Sequence, residues 1–240
     1  MGFYPSKAED DIWVRDMGDH YEYITCYVDD LTVISRNPQE LLQVLCEEHH
    51  FKLKGNEPIR YHLGSNFSRD EEGVLCMSPT KYIERMMDNY IRMFGSAPKT
   101  LYRSPLERGD HPELDTSDEL DEEDTKKYQS LIGALQWVVT LGRFDIGTAV
   151  MTLSSFQANP RVGHLDRVKR IYGYLSKMKH ASLRFRTGLP DYSAIDVPEY
   201  GWEKSIYGDI EEVIPEDCPT PKGNPVVLTS MWMQTYAMIC

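Results

Sequence analysis

The sequence predicts an α+β fold in which an antiparallel sheet with helices is followed by a helical region. An apolar, β-branched run from Tyr23 to Val28 ends at two adjacent aspartates, and a second apolar run follows from Leu31 to Ile34. Two strand-like runs joined by a short polar turn predict a β-hairpin. After residue 124, apolar residues recur at spacings of three and four, which predicts helices.

Further elements follow the acidic hairpin, whose strands are predicted at about 21–28 and 31–35. Asn37 and Pro38 are typical of a helix start, with Asn37 as the cap, and this helix is expected to run to about His50. A short strand is predicted over 51–54.

A second hairpin is predicted from strands at 61–63 and 74–77, because the polar stretch 69–73 between them ends in glycine. A helix is then expected from Ser78, as its cap, to about Phe94, with an apolar face that includes several methionines. Such a face is more often core than a cofactor site.

Three helices are predicted in the C-terminal half, at 124–142, 145–158 and 161–179. Asp145 is the expected cap of the second of them. The residues that we expect to face the core are Tyr128, Leu131, Leu135, Val138, Leu165, Val168, Tyr172 and Leu175.

Charge is unevenly distributed along a chain whose formal net charge is −12. Nine acidic residues and no lysine or arginine lie between Asp110 and Asp124, which favours a disordered linker. The last predicted helix is instead rich in basic residues, as a nucleic-acid contact requires. Whole-chain charge therefore argues weakly against nucleic acid, while local charge argues for it.

Other functional classes find little support in the composition. Five widely spaced cysteines favour neither a disulfide framework nor a zinc site, and the seven histidines show no metal-binding spacing. No apolar run approaches the length of a membrane span, so we expect a soluble intracellular protein without a membrane partner.

The two aspartates at the hairpin turn, Asp29 and Asp30, are the main candidates for chemistry. Adjacent carboxylates repel each other and resist desolvation, so a site that holds both usually neutralises them with a hard cation. Mg²⁺ is bound through one or two carboxylates plus substrate phosphates. The alternative is a solvated turn, in which Asp is a common residue.

The tetrad Tyr27-Val28-Asp29-Asp30, flanked by apolar runs, resembles the active-site hairpin of reverse transcriptases. Other segments resemble, in the same order, the Pol polyprotein of copia-type LTR retrotransposons. These segments are Met1–Trp13, Tyr61–Gly64, Lys81–Ile83, Ser104–Leu106, Tyr128–Leu135, Arg143–Val150 and Asn159–Leu175.

The resemblance implies RNA-directed DNA synthesis with two Mg²⁺ ions in the intact polyprotein. Asp29 and Asp30 would be the catalytic metal ligands, and Tyr27 and Val28 would shape the floor under the primer end. The implied partners are an RNA or DNA template-primer and a deoxynucleoside triphosphate, and the implied location is a cytoplasmic virus-like particle.

Three further residues receive roles from the same resemblance. Leu63 and Gly64 would belong to the primer grip. Lys54 is a possible general acid that protonates pyrophosphate, with Lys52 as a competitor for that role.

The resemblance also implies a division of the chain. We expect a partial palm with acidic hairpin and primer grip over 1–105, an acidic linker over 106–125, a helical thumb and connection over 126–189, and a poorly ordered tail over 190–240. An RNase H domain is not expected to be completed in that tail.

The third catalytic aspartate and the triphosphate-binding residues of such enzymes are expected upstream of residue 1. The isolated chain is therefore expected to be inactive as a polymerase. Two alternatives remain at this point: a non-catalytic nucleic-acid-binding or assembly module whose affinity resides in the basic helix at 161–179, and a pseudogene product without function.

Overall fold

Antiparallel sheets and helices follow one another along the chain, which confirms the predicted α+β class. The computed structural model describes residues 1–54, 57–185, 218–220 and 222. The chain divides into two units, one of residues 1–57 and 187–240 and the other of residues 58–186.

In the described residues, the first unit contains a four-stranded antiparallel sheet and one helix. Its elements are β1 (Tyr4–Pro5), β2 (Ile12–Asp16), β3 (Tyr21–Tyr27), β4 (Asp30–Ile34) and α1 (Pro38–Glu47). The strands lie in sequence order, so each pairs with the next. Val14 and Ile24 of the sheet and Leu41 and Leu45 of α1 are buried.

A buried carboxylate on β3 is held by two neighbours. Glu22 is only 4% exposed and accepts hydrogen bonds from the Ser35 hydroxyl at 2.5 Å and from Nε of Arg15 at 3.0 Å. Burial raises the pKa of Glu22, but these hydrogen bonds outweigh that effect and leave the pKa below its ordinary value. The ion pair thus ties β2 to β3 on one face of the sheet.

The helix predicted after the hairpin is confirmed as α1, Pro38–Glu47. Its N-terminus is not capped by the Asn37 side chain as predicted. The Asn37 side chain makes no capping hydrogen bond. Instead, the Ser35 hydroxyl accepts a hydrogen bond from the Asn37 backbone N–H at 2.9 Å. The strand predicted at 51–54 is wrong, because these residues form no regular element.

The second unit contains a small sheet and a helical cluster. Its elements are β5 (Tyr61–His62), β6 (Ser65–Arg69), β7 (Leu75–Ser78), α2 (Thr80–Phe94), α3 (Glu122–Thr140), α4 (Gly147–Ser154), α5 (Val162–Lys177) and β8 (Leu183–Phe185). The sheet order is β5–β6–β7–β8, and all pairs are antiparallel.

The second hairpin is partly as predicted. Its second strand, β7, is confirmed, but its main partner is β6 rather than 61–63. Asp70 shapes the turn, because its carboxylate accepts backbone hydrogen bonds from Glu72 and Val74 at 3.0 and 2.9 Å. Arg184 of β8 donates to the same carboxylate at 2.7 Å.

The helices of the second unit enclose the main hydrophobic core. All eight residues predicted to face the core on the last helices are buried, as are Ile83, Met86 and Tyr90 of α2. Tyr128 buries its ring and keeps a partner for its hydroxyl, which donates a hydrogen bond to the Leu153 carbonyl at 2.6 Å. This satisfies the polar group that burial would otherwise penalise.

Asp145 does not cap a helix, so that prediction is wrong. A short 3₁₀ turn, Phe144–Ile146, precedes α4. The Asp145 carboxylate accepts hydrogen bonds from Arg143 at 2.8 and 2.7 Å and from the Tyr174 hydroxyl at 2.8 Å. Arg143 is 3% exposed, and its charge requires this carboxylate in place of water.

The acidic segment after Asp110 is ordered, so the expectation of a disordered linker is wrong. Backbone hydrogen bonds join Leu120 to Pro160 and Val162 to Asp118, at 3.0 and 2.9 Å. The buried His164 contacts the Pro112 carbonyl through Nε2 at 2.9 Å. The segment therefore packs along the N-terminal end of α5.

Arg167 of α5 fixes the acidic segment electrostatically. Its guanidinium binds Asp110 at 2.8 to 3.0 Å and Asp115 at 2.5 Å. The Ser117 hydroxyl is the main cause that lowers the pKa of Asp115 to about 2, and Arg167 adds to the effect. Opposite charges thus order a segment whose composition alone favours disorder.

The unit boundary also differs from the division expected from the sequence. Residues 58–105 belong to the second unit, because β5, β6 and β7 form one sheet with β8 and α2 packs against the core helices. Most of the predicted 190–240 tail lies outside the described residues. Within the first unit, the Thr220 carbonyl accepts a hydrogen bond from the Tyr21 hydroxyl at 2.9 Å. Lys222 pairs with Asp16 there.

None of the helices in the described ranges combines the length and the apolar character needed to cross a bilayer.

Asp115→Asn should lower the free energy of unfolding at pH 7 by about 2 kcal/mol, because its carboxylate has a pKa of about 2 in the folded protein, whereas the pKa of an Asp side chain in water is about 3.9. This contribution is fully present above pH ~4 and is lost as the pH falls toward ~2. Urea unfolding at pH 7 and at pH 3 measures it.

The exposed Asp88→Asn on α2 is the matched control for Asp115→Asn and should change the unfolding free energy little at either pH. An equal effect of both substitutions would contradict the ordering role of the Asp115 carboxylate.

Candidate active site

The tip of the β3–β4 hairpin is a two-residue turn. Tyr27 pairs with Asp30, so Val28 and Asp29 alone connect the strands. Val28 has a φ of 52° and is 89% exposed. A positive φ in a β-branched residue is strained, and such strain persists only where the surroundings impose it. Twist matching in a two-residue hairpin imposes it here.

The two carboxylates lie side by side on the chain but occupy different positions. Asp29 is the second residue of the turn, and Asp30 is the first residue of β4. Both side chains are exposed. The predicted acidic hairpin is therefore confirmed, while the catalytic role of its aspartates stays a prediction.

The donor chemistry of this tip fits Mg²⁺ in part. Two exposed carboxylates match the one or two that Mg²⁺ takes from a protein, with phosphates and water completing the shell. Among the described residues, no group of three or more His, Cys, Asp or Glu side chains is arranged to hold a metal ion. Asp29 and Asp30 thus form a partial ligand set.

The other residues implied at the primer end lie at the same tip. Tyr27, the last residue of β3, is 54% exposed, and the exposed Val28 follows it. Four of the predicted site residues, Tyr27 to Asp30, therefore form one contiguous surface on the first unit.

Leu63 and Gly64 form a second tight turn, in the second unit. His62 pairs with Ser65, and both turn residues have positive φ, 49° and 90°, which defines a type I′ turn. A Cβ at Gly64 would lie 3.1 Å from Leu141 and 3.6 Å from Nε1 of Trp137. The turn therefore rests on the C-terminal end of α3.

Lys54 and Lys52 lie in the irregular segment after α1, and both are exposed. Among the described residues, neither lysine forms an ion pair with a carboxylate. The structure therefore does not distinguish Lys54 from Lys52 as the general acid.

The basic residues of α5 are largely paired within the chain. Arg167 binds Asp110 and Asp115, and Arg161 lies 3.5 Å from Glu119. The partners of Arg167 are only 13% and 9% exposed, so phosphates would have to displace buried carboxylates. Arg161 and Arg167 are therefore poor candidates for the nucleic-acid surface expected from the sequence.

Comparison with known proteins gives related sequences. A putative transposon Ty5-1 protein of Saccharomyces cerevisiae is 29% identical over 191 residues, which are 78% of this chain. The retrovirus-related Pol polyprotein from transposon RE1 of Arabidopsis thaliana is 28% identical over 189 residues, again 78% of the chain. The chain is homologous to transposon Pol polyproteins.

This homology covers only part of the relatives. The chain spans 59% of the yeast protein and 12% of the RE1 polyprotein. An uncharacterised mitochondrial protein of Arabidopsis thaliana is 30% identical over 155 residues, with 64% of this chain and 60% of that protein covered. No family model matches the chain, and no solved structure matches it significantly.

Val28→Asn should stabilise the first unit by about 1 kcal/mol, because Asn tolerates the left-handed conformation that Val resists. Hydrogen exchange of the β3 and β4 backbone amides measures the change locally.

Ile34→Asn is the matched control for Val28→Asn, since Ile34 is also exposed but lies in β4, where Asn is disfavoured. Faster exchange in both variants would show that Val28 is not strained.

Proposed function

We propose that the chain is a segment of a retrotransposon reverse transcriptase, an RNA-directed DNA polymerase, and that the β3–β4 hairpin belongs to its active site. In the intact polyprotein, Asp29 and Asp30 bind Mg²⁺ at the end of the primer. Two such ions stabilise the attacking and leaving oxygens of nucleotidyl transfer when bound.

The observation that carries this proposal is the pair of exposed carboxylates on a strained two-residue turn. A solvated turn explains acidic residues, but it does not explain why a β-branched Val28 occupies a left-handed position that Gly or Asn would fill more easily. Strained backbone clusters at sites of function. Homology to transposon Pol polyproteins supports the same assignment.

The neighbouring residues have supporting roles in this proposal. Tyr27 and Val28 form the exposed floor beneath the primer end, next to the carboxylates on the same tip. The Leu63–Gly64 turn belongs to the primer grip, and its firm seat on α3 suits a positioning role. Lys54 is the proposed proton donor to the leaving pyrophosphate, with Lys52 as the alternative.

The partial ligand set predicts how the 240-residue chain behaves alone. Within the described residues no third ligand joins Asp29 and Asp30, so bound ions lack a full protein shell. Misplacement of reacting atoms by ~1 Å can cost about a hundredfold in rate. We therefore expect the isolated chain to bind divalent ions weakly and to extend no primer.

The metal-binding role is tested on the chain with Mn²⁺ as the probe. Paramagnetic broadening of NMR signals should be strongest at residues 27–31, and it should disappear from them in Asp29→Asn/Asp30→Asn. In a longer Pol chain that contains this segment, the same substitutions should reduce template-directed primer extension by at least about a hundredfold.

Asp10→Asn/Asp11→Asn provides the matched control, because it removes another exposed, adjacent acidic pair from the same unit. It should leave both the broadening and primer extension unchanged. Equal broadening at both acidic pairs, or full extension without Asp29 and Asp30, would refute the proposal.

A further inference from the structure

The segment over 100–110 lies along α5 in the second unit and is fixed to it at both ends. Near its start, the ring of Tyr102 reaches the helix because residue 173 is glycine: a Cβ at Gly173 would lie 2.9 Å from the ring. At its end, the Asp110 carboxylate accepts hydrogen bonds from the Arg167 guanidinium at 2.8 to 3.0 Å. The middle of the segment therefore stays close to the helix.

Arg170 of α5 binds the middle of this segment through two groups. Its Nη2 donates a hydrogen bond to the Ser104 hydroxyl at 3.2 Å, and its Nη1 donates to the Glu107 carboxylate at 2.7 Å. The Ser104 hydroxyl in turn donates to the Leu106 carbonyl at 2.8 Å. The guanidinium carbon lies 4.2 Å from the Tyr102 ring centroid. The guanidinium is thus held between an aromatic ring and a serine hydroxyl.

The Arg170 guanidinium has capacity for another anion. Its Nε is buried and has no hydrogen-bond partner in the described part of the chain. The Glu107 side chain is 71% exposed, and an exposed ion pair of this kind contributes little to stability, so a stronger anion can replace it. Arg170 and Tyr102 also line a half-open cavity of about 550 Å³ beside Phe94, so the packing around Arg170 is open on one side.

Ser104 is also accessible to an enzyme. It is exposed, lies in an irregular part of the chain and is followed by proline, the dipeptide that proline-directed protein kinases modify. Two other hydroxyl residues in the sequence precede a proline, Ser78 and Thr220. Ser78 is paired within β7, whereas Thr220 is exposed. Among the described contacts of these three residues, the hydroxyl of Ser104 is the one that accepts a hydrogen bond from an arginine.

We infer that Ser104 is a phosphorylation site for a proline-directed protein kinase, and that its phosphate binds Arg170 and fastens the 100–110 segment to α5. The Ser104 Oγ attacks the γ-phosphorus of ATP, the new O–P bond replaces the bond to ADP, and the hydroxyl proton passes to a base of the kinase. The phosphate then takes the place of Glu107 at the guanidinium. A phosphate opposite an arginine forms charge-assisted hydrogen bonds that order a loop. The inference does not depend on the role proposed for the acidic hairpin.

The modification is tested on the full chain carrying Thr220→Ala, which removes the other exposed site. A purified proline-directed kinase with ATP should phosphorylate Ser104, as located by mass spectrometry, and the same chain produced in eukaryotic cells should carry this phosphate. Pro105→Ala should slow phosphorylation at least about tenfold, because it removes the residue that the kinase selects.

Pro98→Ala is the matched control for Pro105→Ala, since it replaces a proline of similar burial in the same connection. It should leave the rate of phosphorylation unchanged. Absence of phosphate at Ser104 in either experiment, or the same rate in the two proline variants, would overturn the inference.

The contact with Arg170 is tested by phosphorus NMR of the phosphorylated chain. A guanidinium favours the dianionic phosphate, so the Ser104 phosphate should titrate at a pH about 1 below that of the same chain unfolded in urea. Arg170→Gln should abolish most of this difference. Lys169→Gln removes a neighbouring charge from α5, one that pairs with Asp166, and should preserve most of it.

Circular dichroism melting verifies that the Arg170 and Lys169 variants are folded. Equal titration of the phosphate in the folded and unfolded chains would show that no cation faces it. That result, or an equal loss of the difference in the two variants, would overturn the contact with Arg170.

Hydrogen exchange tests whether the phosphate fastens the segment. Exchange of the backbone amides over 101–109 should slow about tenfold on phosphorylation, because hydrogen bonds to charged groups exceed the exposed pair that they replace. Ser104→Ala treated with the same kinase is the control and should show no change. Unchanged or faster exchange in the phosphorylated chain would contradict the fastening of the segment to α5.

Discussion

A two-residue connection between antiparallel strands leaves the backbone few conformations, and this constraint shapes the candidate active site. The connection between Tyr27 and Asp30 needs positive φ at Val28 to match the twist of the strands. Because the turn is so short, Asp29 lies in the turn and Asp30 at the first position of β4, and both side chains are exposed at the tip. The sheet behind them is anchored by buried Val14 and Ile24 and by the Arg15–Glu22 ion pair.

Opposite charges also hold the acidic segment after Asp110 against α5 in the second unit. The net charge of −12 is partly concentrated in a segment that folds back on the basic helix α5. Arg167 holds that segment in place, and its guanidinium is not free for a ligand because the side chains of Asp110 and Asp115 are only 13% and 9% exposed. Lys169 and Arg170, one turn or less away, form ion pairs only with exposed carboxylates, and they line the cavity beside Phe94 and Tyr102. One helix thus combines a cation held by mostly buried carboxylates with cations whose carboxylate partners are exposed.

The sequence predicts a strand or helix well where the pattern of apolar residues matches the face that the fold buries. The apolar, β-branched run before Asp29 predicts β3. Apolar residues at helical spacing predict the buried faces of α3 and α5, because one side of each helix is buried. The pattern fails for the acidic segment after Asp110. Composition cannot reveal that Arg167, more than fifty positions later, supplies the compensating charge.

The candidate site is predictable in its residues but not in its conformation. Adjacent acids between apolar runs predict the tip of the hairpin, whereas nothing in a valine signals positive φ at position 28. The cavity beside Phe94 and Tyr102 has no local signal, since its wall comes from α2, a loop and α5. Similarly, β8 has only three residues and is defined by its pairing with β7.

The most direct test of the central claim is a crystal structure of a longer Pol chain that contains this segment, bound to primer-template and Mn²⁺. The account predicts anomalous scattering from Mn²⁺ at about 2 Å from the carboxylate oxygens of Asp29 and Asp30, beside the primer terminus. Ions bound elsewhere, with the hairpin tip pointing to solvent and away from the primer, would contradict it.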